Sequence, residues 1–106
     1  MPVKEQREQL LKVLRLTKEI LELPENDFVW SGWDDAQTGI REVDGFISAI
    51  ENEQTFDEFK LSILFAPTGP IQEVSVSSGW GDAFLGLAAD FDAALAAFQN
   101  AERFGK

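Results

Sequence analysis

From residue 3 to residue 23, apolar side chains return at the i, i+3, i+4, i+7 spacing of a helix face. Leu10, Val13, Leu14, Thr17, Ile20 and Leu21 share one side, Leu11 and Leu16 sit at its edges, and Lys4, Glu8, Lys12, Arg15, Glu19 and Glu22 lie opposite. Pro24 ends this predicted helix and Glu25-Asn26-Asp27 reads as a loop. Phe28-Val29-Trp30 is a short β-prone run that stops at Ser31-Gly32. A second helix is predicted from about Thr38 to Glu53, with Ile40, Val43, Phe46, Ile47 and Ile50 as its apolar face and Gly39 and Gly45 weakening it.

Further on, the pattern changes. Phe59 to Ala66 is dense in β-branched and aromatic residues and predicts a buried strand. Pro67-Thr68-Gly69-Pro70 supplies turn residues. Ile71 to Ser78 alternates, Val74 and Val76 against Glu73, Ser75 and Ser77, as a strand with one wet side would. A last helix is expected from about Ala83 to Phe98, with Phe84, Leu87, Phe91, Leu95 and Phe98 on one narrow face. Its reverse face, Gly86, Ala89, Ala93, Ala96 and Ala97, is small and uncharged where a surface helix is normally charged. That face suits close packing of another helix, within the domain or across a dimer interface; a plain alanine-rich solvent face is the alternative. The expected architecture is a single α+β domain over residues 1–106. It has a small, mostly antiparallel sheet of about three strands covered by three helices, in the order α-β-α-β-β-α.

A short internal repeat cuts across this layout. Residues 31–40, Ser-Gly-Trp-Asp-Asp-Ala-Gln-Thr-Gly-Ile, match residues 78–87, Ser-Gly-Trp-Gly-Asp-Ala-Phe-Leu-Gly-Leu. In both copies a β-prone run precedes and a helix follows. Gly32 and Gly79 would permit a tight turn or a close backbone approach, Asp35 and Asp82 would cap the helices, and Trp33 and Trp80 would shield the corners. Gly39 and Gly86 would let each helix approach the sheet. The functional counterpart of this structural reading is a pair of adjacent corners exposing Trp beside carboxylate, a pairing suited to a basic side chain. On that reading the candidate partner-binding residues are Trp30, Trp33, Asp34, Asp35, Trp80 and Asp82. A phosphate at these helix entries would meet a carboxylate, which argues against an anion loop.

Composition narrows the chemistry. Among 106 residues there is no His, Cys or Tyr, which removes Ser-His and Cys-His nucleophile pairs, zinc-thiolate and histidine metal sites, and the usual near-neutral base. A non-enzymatic protein without cofactor or metal is therefore expected. Asp34, Asp35 and Asp44 do not follow the ligand spacing of a calcium loop. No run of residues is long and apolar enough to cross a membrane, and the charged N-terminus lacks a signal-peptide core, so a cytoplasmic location is the expectation.

The formal charge of −10 is unevenly placed. Residues 1–23 hold five bases and four acids, whereas residues 24–100 hold fourteen acids and only Arg41 and Lys60 as bases. Such a field repels nucleic acid and anionic membrane and attracts basic proteins; its other use is solubility. The leading expectation is an acidic protein-interaction module, an inhibitor or antitoxin-like partner of a basic protein. The alternatives are a homo-oligomeric (for instance dimeric) accessory protein and a carboxylate-based ligand or metal binder.

Overall fold

A computed structural model describes residues 2–29, 31–67 and 69–104, with side chains for 4–29, 31–67 and 69–103. It contains five helices: α1 (Pro2–Leu21), α2 (Ala36–Glu51), α3 (Glu58–Leu64), α4 (Pro70–Ser78) and α5 (Gly81–Phe104). No strand occurs among the described residues, so the expected α+β fold with a three-stranded sheet is corrected to an all-helical one.

The three helices read from periodicity are present with shifted ends. On α1, Leu10, Leu11, Leu14, Thr17 and Leu21 are buried and Leu16 is exposed. Thr17, fully buried, donates its hydroxyl to the Val13 carbonyl one turn back (2.8 Å), which satisfies the group inside the core. On α2, Ile40, Val43, Ile47 and Ile50 are buried; on α5, Phe84, Leu87, Phe91, Leu95 and Phe98 are. Helix α1 packs against both α2 and α5, and α4 rests on α5.

Both expected strands of the hairpin are helices, for reasons present in their sequence. Around residues 59–66, Leu61, Leu64 and Phe65 are buried while Phe59 is 73% exposed and Ile63 is exposed, a spacing of 3.6 rather than 2. Asp57 starts this helix by accepting the Lys60 amide (3.0 Å). Phe65 then stacks on Phe91 of α5, with centroids 3.9 Å apart and planes 9° from parallel. In the next segment Pro70 occupies the first turn of α4 and Gly79 its C-terminal cap, the usual placing of these two residues in a helix. Ile71, Val74 and Ser75 face the core and Val76 is 64% exposed, so the Val74/Val76 alternation carried no facing information. Ser75, fully buried, donates to the Gln72 carbonyl (2.7 Å). Residues 28 and 29 belong to the loop before α2, not to a strand.

Ion pairs fasten α1 to α2. Lys18 reaches Asp44 (2.9 Å), Arg15 meets Glu51, and Arg7 reaches Glu53 just beyond the end of α2 (3.4 Å). The bond to Asp44 raises the Lys18 pKa above its ordinary value. Three of the five bases of α1 are thus spent inside the bundle.

Candidate functional site

At the first corner, Gly32 takes φ +84°, a left-handed conformation that favours glycine. The Ser31 hydroxyl donates to the Phe28 carbonyl (2.8 Å) and accepts the Trp33 amide (3.1 Å), which fixes the turn. Trp33 then folds back over α2, where a Cβ on Gly39 would fall 2.6 Å from its Cε3. Its indole N–H donates to Glu42 Oε2 (2.8 Å), and the Phe28 ring lies 6.3 Å away. Asp35 is the N-cap: Oδ1 accepts the Thr38 amide and the Thr38 hydroxyl, each at 2.9 Å. The Thr38 amide, then its hydroxyl, then the charge of Arg41 hold the Asp35 pKa below the usual carboxylate range.

The second corner repeats the glycine but not the helix entry. Gly79 has φ +87° and closes α4, and the Trp80 amide donates to the Ser75 carbonyl (2.8 Å). Helix α5 begins at Gly81, with the Trp80 carbonyl accepting the Phe84 amide (3.0 Å). Asp82 therefore stands in the first turn of α5 rather than at its cap, exposed near the positive end of the helix. In the second copy Gly81 stands where the first has Asp34, and α5 starts one residue after its Trp where α2 starts three after Trp33.

The two corners are tied together by the loop that enters the first. The Trp80 indole N–H donates to Asn26 Oδ1 (2.8 Å), and the Asp27 amide donates to the Ser78 hydroxyl (2.8 Å). Asn26 also donates through Nδ2 to the Ile20 carbonyl (2.6 Å), closing the end of α1. Trp33 is only 8% exposed and so offers little aromatic surface, whereas Trp80 is half-buried and keeps part of its surface open. Asp34 and Asp82 are exposed, Asp35 is engaged as a cap, and Trp30 lies outside the described residues. Gly86 makes no close approach, since a Cβ there would meet nothing within 4 Å. Asp34, Asp35 and Asp44 do not converge either: Asp44 is paired with Lys18, and no metal-holding cluster of acidic residues forms among the described residues.

What the bundle does present outward is the reverse face of α5. Gly86, Ala89, Ala93, Ala96 and Ala97 are all exposed, with Leu85 62% exposed beside them. Among the described residues no helix covers this face, so the intradomain packing that its small residues suggested is not found there. Asp82, Asp90 and Asp92 are exposed along the same helix, whose one base, Arg103, stands in its last turn. At the far end a cleft of about 240 Å³ is lined by Arg7, Glu53, Phe56, Glu58, Phe98 and Glu102 among others. Its charges are largely met within the chain, Arg7 by Glu53 and Glu58 by the Gln99 amide (2.7 Å).

Among the described residues no helix is long and apolar enough to cross a membrane. Compared with protein-family models, characterised proteins and solved structures, the chain shows no match.

Proposed function

We propose that this protein is a non-catalytic acidic interaction module that holds a basic, amphipathic helical partner on the outer face of α5. The observation that supports the reading is the joint placement of charge and small side chains. The bases of α1 are largely taken up by α2 and Glu53, whereas α5 carries Asp82, Asp90 and Asp92 beside an uncovered Gly/Ala stripe. Small residues let a second helix approach closely, and the flanking carboxylates select one bearing Lys or Arg. The stripe runs from Gly86 to Ala97, half of the 24-residue helix and about 18 Å at 1.5 Å per residue, enough for about three turns of partner. A second copy of the chain fits this face less well, because it would bring two sets of these aspartates together.

The test is a titration with a synthetic amphipathic helix of Lys, Ala and Leu, followed by calorimetry at low and high salt. The reading requires saturable binding that weakens with salt and falls at least tenfold in Asp90→Asn/Asp92→Asn. Equal binding by native protein and variant would contradict it. Sedimentation of the free chain as a stable dimer through α5 would assign the face to self-association instead.

A further inference from the structure

Arg41 and Lys60 are the only bases in residues 24–100. They belong to different helices, α2 and α3, yet both line one shallow groove of about 410 Å³, together with Glu42, Gly45, Phe46 and Phe56. Phe46 and Phe56 meet edge to face, centroids 6.3 Å apart at 79°, and give the groove its apolar floor. Phe98 of α5 lies behind Phe56 (6.0 Å), so the floor is anchored in the core.

The charges around this floor leave the two cations available. Among the described residues neither Arg41 nor Lys60 is hydrogen-bonded or ion-paired through its side chain. Asp35, within the field of Arg41, is occupied by the amide and hydroxyl of Thr38. Glu42 is turned to the Trp33 indole. The two cations of this otherwise acidic stretch therefore stand beside a half-buried aromatic floor.

Gly45 supplies an independent observation. It lies inside α2, where glycine weakens a helix, and a Cβ there would meet nothing within 4 Å. Because Gly45 also lines the groove, a large side chain at this position would intrude on it. On the opposite bank, α3 exposes Phe59 and Ile63 beside Lys60, which extends the apolar surface past the groove itself. Aromatic side chains and Arg set around a desolvated centre are what protein-recognition surfaces favour.

We infer that this groove docks an acidic amphipathic peptide segment. A bulky apolar residue of the peptide sits over Gly45 on Phe46 and Phe56, and its flanking Asp or Glu side chains meet Arg41 and Lys60. A peptide, rather than a small carboxylate, accounts for the continuation of apolar surface onto Phe59 and Ile63. The site is separate from the α5 face and does not depend on that reading.

A fluorescein-labelled peptide of Glu, Ala, Leu and Phe, titrated by anisotropy against the full chain, tests the assignment. Native protein should bind it saturably. Arg41→Gln/Lys60→Gln should weaken binding at least tenfold, and Gly45→Leu should abolish it while circular dichroism shows the helices intact. Gly45→Ala, which adds a single methyl, should keep the fold and lose less. Asp90→Asn/Asp92→Asn should leave this binding unchanged, so the groove and the α5 face stand or fall separately. The assignment is overturned if Arg41→Gln/Lys60→Gln binds as native does, or if a Glu/Ser peptide without apolar residues binds equally well. Displacement of the peptide by phenylpropionate at matched concentration would give the groove to a small carboxylate and likewise overturn it.

Discussion

Gly39 and the indole of Trp33 are in such close register that a single methyl group at residue 39 would overlap the ring, at 2.6 Å from Cε3 and 2.8 Å from Cδ2. Six residues on, in the same helix, Gly45 opens onto empty space. Identical substitutions at the two positions should therefore have opposite signs. Gly39→Ala should cost about 1–3 kcal/mol through overpacking against a buried, hydrogen-bonded indole. Gly45→Ala should stabilise by about 0.5–1 kcal/mol through helix propensity alone. Urea denaturation of both variants checks this, and equal shifts would contradict the packing of Trp33 on α2.

The link between Trp80 and Asn26 gives a second expectation. Asn26→Ala removes the acceptor of a half-buried indole N–H and the donor to the Ile20 carbonyl, so it should cost about 1–3 kcal/mol. Trp80→Phe removes the indole N–H and so breaks only the first of these bonds. A double-mutant cycle should show coupling between the two residues; purely additive effects would mean that the loop is not tied to the second corner.

Acid should weaken the cap of α2. The folded-state pKa of Asp35 is depressed from 3.8, so its contribution is present above that value and is lost as pH falls through and below it. Lys18 runs the other way: its pKa is raised above 10.5, so its contribution holds below that value and fades as pH rises beyond it. Thermal midpoints should thus decline at both extremes. Asp35→Ala should flatten only the acid side and lower the neutral midpoint by a few degrees. An unchanged acid limb in Asp35→Ala would show that Asp35 is not the cap.

The contrast between elements read correctly and incorrectly has a physical cause. In α1, α2 and α5 the helical period runs over several turns, so the buried stripe was readable from spacing alone. In α3 and α4 it runs for seven and nine residues, too few to separate a period of 3.6 from one of 2 by apolar content. The decisive marks were local: Asp57 as a cap before Leu61, and Pro70 opening and Gly79 closing α4. Pro67 to Pro70 looked like a hairpin turn because the same residues begin helices and end strands. The Ser-Gly-Trp repeat was legible as two corners with turn glycines, and the structure gives both a positive φ. That Trp33 turns inward depends on Gly39 and Glu42, a tertiary relationship that the linear match between the copies does not contain. The groove of Arg41 and Lys60 was hidden for a related reason, since only the folded chain brings residues 41 and 60 to one groove.

The outer face of α5 is the centre of the functional account, and amide chemical shifts recorded while the Lys/Ala/Leu helix is added test it most directly. Binding at this face should move the resonances of Leu85, Gly86, Ala89, Ala93, Ala96 and Ala97 together, and leave those of Trp33, Gly39 and Glu42 in place. Shifts centred on the Trp33 and Trp80 corners, or no saturable shifts at all, would contradict it.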